Sequence, residues 1–253
     1  MAYQTGRACV VAFRAEAAFG TLPAGTGAKV FRANSGTFNL NKAPINSGEN
    51  RRDGMMTRGR HGYRTVQGSY VADLSVGTFD DLFEAVFRST WSAILTLTQA
   101  DFTSITTGAN TIVLASSDPR TLGLRIHDVI RLTNYSQAAD NNKNLRITGL
   151  SATTITVAET LTVNGAADTT VTITRPKKLI QGLTARSFSL EELENDIDAS
   201  ELFTGIRFGQ LRLQMAANGM ATVTFTGAGK NMQTLDGSNA PYFVSPTATT
   251  TRG

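Results

Sequence analysis

The stretch RTVQGSYVADLSVGTFDDLFEAVFRSTW, from Arg64 to Trp91, changes its hydrophobic period half-way along. Its first half alternates, with Val66 and Tyr70 on one face, which is typical of a β-strand. In its second half the apolar residues recur at helical spacing, and the predicted core residues of this helix are Phe79, Leu82, Phe83, Val86, Phe87 and Trp91. Thr78 precedes them as an N-cap. The pattern predicts a helix over 78–91 whose apolar stripe packs on a sheet.

The rest of the chain consists of short alternating stretches separated by Gly or Asn-Gly, as expected of an all-β protein. In IRFGQLRLQM, Ile206 and Phe208 are in one phase of the alternation. Leu211 and Leu213 are in the other phase, so one extra residue must intervene. This shift predicts a β-bulge near Gly209-Gln210. We therefore expect a mainly β fold, a sandwich or barrel, with one packed helix and a long inter-strand loop.

Residues 94–176 differ from the rest in being rich in Thr and Asn and poor in aromatic residues. We interpret them as an inserted small β subdomain, with a hairpin signalled by Asn164-Gly165. The insertion divides the main β core into a first part, 1–93, and a second part, 177–232. The Pro-, Ser- and Thr-rich segment 233–253 is expected to be a flexible C-terminal arm.

Charged residues are scarce and clustered. There are 24 Lys and Arg against 20 Asp and Glu, giving a net charge of +4 with only 17% of residues charged, below the usual quarter. One cluster lies in the loop 42–64 and comprises Arg51, Arg52, Met55, Met56, Arg58, Arg60 and Arg64. The other is a run of carboxylates, Glu191, Glu192, Glu194, Asp196 and Asp198. So mild a net positive charge does not by itself indicate nucleic-acid binding.

The sequence lacks the residue patterns of a catalytic or metal centre. The two histidines, His61 and His127, have neither metal-ligand spacing nor a partner cysteine. No serine elbow of the G-x-S-x-G type occurs. The single cysteine, Cys9, excludes a disulfide framework, and no apolar span is long enough for a membrane helix. We expect no enzymatic activity, no catalytic residues, no cofactor, no metal and no membrane contact.

The strand and helix of 64–91, preceded by a basic Gly-rich loop, and the later stretch RSFSLEELENDIDASELFTGIRFGQLRLQMAANGMATVTFTGAGKNM resemble a tail tube protein of tailed bacteriophages. The resemblance covers residues 35–91 and 176–232, and the middle segment resembles a small β-barrel insertion that some members carry. It implies a tail-tube-type β-sandwich or barrel that forms homo-hexameric rings, stacked into a conduit for genome DNA. It also implies a virion tail protein made in the host cytoplasm. Its partners would be copies of itself and other tail proteins such as the tape measure, terminator and baseplate.

The basic loop has two functional interpretations. Its arginines could contact DNA, but each phosphate that they neutralise would add affinity and hold back a duplex that must slide. We therefore expect a neutral or acidic lumen, with DNA only as transient cargo, and a basic loop that docks on the adjacent ring. The run from Glu191 to Asp198 would be its acidic partner surface. In the remaining interpretation both charged runs are solvated loops.

Two alternative functions remain open at this stage. The Thr- and Asn-rich insertion would also suit a receptor- or carbohydrate-binding β-sandwich that decorates the virion. A tail-completion or terminator protein would form one ring without stacking. Tubes formed by the purified protein would distinguish the tube subunit from the decoration protein, and copy number in the virion would distinguish it from the terminator.

Overall fold

The computed structural model describes residues 9–49, 52–55 and 59–248. The chain divides into two compact units, the first formed by Met1–Ser89 and Gln181–Gly253 and the second by Thr90–Ile180. The elements are, in chain order, β1 (Cys9–Ala15), β2 (Lys29–Val30), β3 (Ser35–Ile45), β4 (Arg60–Asp73), α1 (Asp80–Phe87), β5 (Leu95–Leu97), β6 (Ile105–Thr107), β7 (Thr111–Leu114), β8 (Val129–Thr133), β9 (Leu145–Leu150), β10 (Thr154–Val157), β11 (Asn164–Asp168), β12 (Thr172–Arg175), β13 (Phe188–Glu194), β14 (Ala199–Gln214), β15 (Thr222–Gly229) and β16 (Asn231–Asp236). The fold is mainly β, as the sequence predicts.

In the first unit, two antiparallel sheets share the long strand β14. The first part of β14 pairs with β13 and β16, and its second part pairs with β15. One sheet therefore has the order β2-β1-β13-β14-β16, and the other has the order β14-β15-β4-β3. The register of β14 against β15 shifts between Phe208 and Gln210, which confirms the predicted bulge. Such a bulge bends a strand and lets it pass from one sheet to the next.

An aromatic core lies between the two sheets. The rings of Phe38 on β3 and Phe203 on β14 are 5.9 Å apart, centroid to centroid, and both side chains are fully buried. Helix α1 covers part of this core, with Phe79 lying 5.5 Å and Phe83 lying 5.7 Å from the ring of Phe225 on β15. The predicted apolar stripe thus packs across a sheet.

The helix is shorter than the predicted 78–91. It begins at Asp80, with Phe79 rather than Thr78 in the N-cap position, and it ends at Phe87. Arg88 adopts a left-handed conformation, φ 53°, which terminates the helix. Two predicted core residues are consequently misassigned, because Phe87 is 38% exposed and Trp91 lies beyond the helix, in the second unit.

The C-terminal segment packs against the first unit, so the predicted flexible arm is wrong as far as residue 248. The backbone N–H groups of Tyr242 and Phe243 each donate to the carboxylate of Glu191, at 2.7 Å, and Phe243 is only 1% exposed. The backbone N–H of Thr247 donates to the carbonyl of Ala28, and the carbonyl of Thr247 accepts from the N–H of Val30. Residues 249–253 lie outside the described part of the chain. We refer to residues 240–248 as the C-terminal strap.

The second unit is an eight-stranded antiparallel sheet with the order β11-β6-β7-β10-β9-β8-β12-β5. Side chains from most of these strands meet in one apolar core. The unit spans Thr90–Ile180, against the predicted 94–176. The hairpin predicted at Asn164-Gly165 is wrong, because those residues lie within β11, which pairs with β6 rather than with β12.

Candidate assembly surfaces

Strands β3 and β4 continue beyond the sheet as a ribbon. Their pairing extends to Ile45 and Arg60, whereas the partner strand β15 ends opposite Val66. Within the described residues, the ends of β3 and β4 therefore pair only with each other. An isolated pair of strands is marginally stable in water. We call the described residues 41–49, 52–55 and 59–65 the cationic ribbon; they carry most of the docking loop predicted at 42–64.

The cationic ribbon exposes apolar as well as charged side chains. Ile45, Met55 and Tyr63 are 60%, 66% and 83% exposed. Arg60 and Arg64 are exposed, and in the described part of the chain neither forms an ion pair, although Arg64 donates to the side-chain oxygen of Asn231 at 3.3 Å. The described Arg52 is also exposed. Three predicted docking residues, Arg51, Met56 and Arg58, lie outside the described residues.

The predicted acidic partner surface is wrong at Glu191 and Glu192, because both are buried. Glu191 binds the C-terminal strap. Glu192 accepts the backbone N–H of Phe38 at 2.9 Å, the hydroxyl of Thr37 at 2.9 Å and the hydroxyl of Tyr70. Burial and the adjacent Glu192 charge raise the pKa of Tyr70. Both carboxylates are held by hydrogen bonds inside the subunit, so neither is free to contact a partner.

The other acidic residues separate into a turn and a groove. Asp196 and Asp198 lie exposed on the turn between β13 and β14. Glu194 instead lines a cavity of about 570 Å³ together with Glu192, Glu201 and Asp236. We call this cavity, defined by these four carboxylates, the acidic groove. Glu192 pairs with Glu201, and Ala199 pairs with both Glu194 and Asp236, so strand register places the four on one face.

The acidic groove concentrates negative charge in a partly desolvated place. Burial, followed by the charges of Glu192 and Glu194, raises the pKa of Glu201. Burial and the same two glutamates raise the pKa of the Cys9 thiol to about 11. Among the described residues, the groove lining contains no lysine, arginine or histidine. Sequence reasoning missed Glu201 and Asp236, although the alternation of β13 and a short turn to β14 could have paired Glu192 with Glu201.

The sheet β14-β15-β4-β3 turns a polar face away from the core. Cross-strand register puts the following residues on this face: Thr37, Ser69, Thr226 and Gln210 in one row, Asn39, Gln67, Ala228 and Arg207 in a second, and Ser35, Val71, Thr224 and Arg212 in a third. Along the central strands, from Thr65 to Val71 and from Thr222 to Ala228, no outward residue is charged. We call this the hydroxyl–amide face. It offers hydrogen bonds but no fixed charge along its centre.

The described residues contain no group of three or more His, Cys, Asp or Glu side chains arranged to hold a metal ion. Nor does any helix in this part of the chain combine the length and apolar character needed to cross a membrane. The surfaces that stand out are therefore the cationic ribbon, the acidic groove and the hydroxyl–amide face.

These features are those of a structural protein that associates through exposed surfaces. The sequence model of the family described as phage tail tube protein matches residues 6–253. The chain belongs to this family, which confirms the resemblance noted from the sequence. It is accordingly a structural component of a phage tail and not an enzyme.

No curated protein sequence matches the chain significantly. Among solved structures, the tube-terminating cap of the anti-feeding prophage is 6% identical with a TM-score of 0.40, the alignment covering 94% of this chain and 93% of the cap chain. The six-fold symmetrised baseplate of the same particle is 8% identical with a TM-score of 0.32, covering 90% of this chain and 92% of the other. TM-scores below 0.5 do not establish a shared fold.

Proposed function

We propose that this chain is the repeating subunit of a tail tube, which assembles as homo-hexameric rings stacked into a conduit for genome DNA. The observation that carries the proposal is the cationic ribbon. Among the described residues its strand ends pair with no third strand, yet they expose Ile45 and Tyr63, and Arg60 and Arg64 form no ion pair there. A second copy that covers the ribbon would bury these apolar groups and neutralise its charge.

The hydroxyl–amide face supports the conduit. DNA that slides past a surface must not be held by its phosphates, and affinity for phosphate rises with each cation presented. The outward side chains of central strands β4 and β15 are hydroxyls, amides and small apolar groups such as Ser69, Gln67 and Val71. The part of this face on β4 and β15 therefore suits the lumen, with Arg207 and Arg212 confined to its β14 edge, while the arginine-rich ribbon suits a contact between copies.

The docking interaction predicted from the sequence becomes part of this proposal in corrected form. The basic partner is the cationic ribbon, and the acidic partner must be sought among residues other than Glu191 and Glu192. Other tail proteins, such as the tape measure, terminator and baseplate, would meet the tube at its ends and in its lumen. A terminator ring and a decoration protein remain as the outcomes against which the proposal is tested.

Electron microscopy of the purified full-length chain tests the proposal. We expect hollow tubes with six-fold rings and a regular axial repeat. Single rings that never stack would instead indicate a terminator. A well-folded monomer at high concentration would refute self-assembly altogether. Quantification of virion proteins gives a second test, because a tube subunit must be among the most abundant.

A further inference from the structure

We propose that the acidic groove is the receptor for the cationic ribbon of a second copy of this chain. The inference rests on the proposed function, and it replaces the exposed acidic run predicted from the sequence with a defined site. The groove is lined by Glu192, Glu194, Glu201 and Asp236, of which the sequence prediction contained only the first two. Glu192 is held by hydrogen bonds inside the subunit, so the contact with the second copy falls to Glu194, Glu201 and Asp236.

The carboxylates of the groove have unused hydrogen-bonding capacity. Oε2 of Glu194 is buried, and no donor in the described part of the chain reaches it. A buried acceptor without a donor costs free energy until a partner supplies one. Within the same described residues, the carboxylates of Glu201 and Asp236 also have no hydrogen-bond or ion-pair partner. Within the described residues the groove thus has carboxylate oxygens without a donor, and the donors of its lining are neutral hydroxyl and amide groups on Thr37, Asn39, Ser200 and Thr234.

The chemistry of the groove favours a long cationic side chain over a metal ion. Its carboxylates are not arranged as a metal-binding cluster among the described residues. A guanidinium group presents five donors in a planar fork and is weakly hydrated, so it suits a set of dispersed, partly desolvated carboxylates. Ile197 and Leu235 also line the cavity, and they can pack against the stem of an arginine or against an apolar neighbour.

The cationic ribbon is the segment of this chain that fits such a receptor. Arg60 and Arg64 are exposed and lack a carboxylate partner in the described structure, and Tyr63, the residue before Arg64, is also exposed. A contact between different surfaces of identical chains is heterologous, so it can be repeated from copy to copy around a ring or along a stack. Opposite charges at the two surfaces also suppress contacts of ribbon with ribbon and groove with groove.

A charge exchange between the two surfaces tests this pairing in the full-length protein. One variant carries Glu194→Lys and Glu201→Lys, and the other carries Arg60→Glu and Arg64→Glu. We expect each variant alone to need at least about tenfold more protein than wild type to form tubes. An equimolar mixture should recover assembly, because each reversed surface then meets a complementary one.

A second pair of variants controls for folding and for location. Glu194→Gln with Glu201→Gln removes two charges from the groove, and Asp196→Asn with Asp198→Asn removes two from the adjacent exposed turn. We expect the groove pair to weaken assembly and the turn pair to leave it unchanged. The Glu201→Gln monomer should melt above wild type, since that carboxylate is unfavourably placed in the free subunit; a lower melting temperature would contradict this account of the groove.

The outcomes separate this inference from the proposed function. If wild type forms tubes and the groove variants do so at the same concentration, the groove proposal is overturned and the tube subunit stands. Equal losses for the groove and turn pairs would also overturn it, since net charge alone would then explain them. If wild type never associates, both proposals fail.

Discussion

Neighbouring residues of one acidic run have unrelated roles in the structure. Glu191 and Glu192 point to opposite faces of β13, the first towards the C-terminal strap and the second towards Tyr70 and Phe38. Their hydrogen-bond donors come from residues about 50 and more than 100 positions away. The hydrogen-bond donors that allow these carboxylates to be buried are distant in sequence. A run of acidic residues therefore predicts a solvated segment when the sequence alone is considered.

Glu191→Ala should destabilise the first unit by about 2–3 kcal/mol, because two backbone N–H groups at Tyr242 and Phe243 lose a charged acceptor. Urea unfolding measures this loss, and chymotrypsin should cut after Tyr242 sooner. Glu191→Gln keeps one acceptor and should show a smaller loss. Unchanged stability in Glu191→Ala would mean that burial of Phe243 and the backbone hydrogen bonds of Thr247 hold the strap without Glu191.

Asp168 should make the second unit sensitive to acid. Burial on its own raises the pKa of Asp168, but backbone N–H groups of Thr170 and Ser136 donate to the carboxylate, at 2.9 and 2.8 Å, and together these hydrogen bonds lower the pKa to about 2. Because the folded-state pKa is lowered, the charged carboxylate stabilises the folded unit at pH values above the ordinary pKa of 3.8. This stabilisation is lost as the pH falls from 3.8 towards 2.

The difference in unfolding free energy between wild type and Asp168→Asn checks this dependence. It should be about 1–2 kcal/mol at pH 6 and should shrink steadily between pH 4 and pH 2. Urea titrations of the full-length chain across this range provide the measurement. A difference that does not vary with pH would show that the carboxylate charge is not what stabilises the turn.

At the scale of elements, helix α1 is stabilised by the packing of its apolar face and not by its own length. Its eight residues are too few for a stable isolated helix, so its stability must come from packing on Phe225 and its neighbours. Phe79→Ala should cost about 3–5 kcal/mol, since it removes a fully buried ring.

Phe87→Ala is the matched control on the same helix. Its ring is 38% exposed, so we expect a loss below about 1 kcal/mol. Urea unfolding followed by circular dichroism compares the two. Similar losses at both positions would contradict the observed helix end, because they would require Phe87 to be part of the core as the spacing predicts.

At the scale of the whole molecule, the hydroxyl–amide face should determine how the tube treats DNA. Thr226→Arg places a cation in the centre of this face without disturbing the core. If the face lines the lumen, the variant adds six arginines per ring at its centre to Arg207 and Arg212 at its β14 edge. Tubes of this variant should retain short double-stranded DNA at low salt, at least about tenfold more strongly than wild type, with affinity falling as salt rises.

Thr226→Gln is the neutral control and should behave as wild type. Retention is measured by sedimenting tubes with labelled DNA over a range of salt concentrations, with tube formation checked by electron microscopy. If Thr226→Arg blocks assembly instead, this face is a contact between copies rather than the lumen. Intact tubes without retention would show that the face points away from DNA.

The sequence by itself determined the features that depend on local periodicity: the β class, the helix on Phe79 and Leu82, and the bulge beside Gly209. Each of these features is encoded in about a dozen consecutive residues, because backbone geometry alone sets the period at which side chains return to one face. Tertiary structure decided the features that depend on distant partners. In the folded chain Glu191 and Glu192 are buried, the C-terminal strap packs against the first unit, and Glu194, Glu201 and Asp236 line one groove. Hydrogen bonds to residues far apart in the chain bury Glu191 and Glu192, and the pairing of β16 with β14 adds Asp236 to the groove. No local pattern contains these contacts, whereas the β13–β14 hairpin that brings Glu201 beside Glu192 is local.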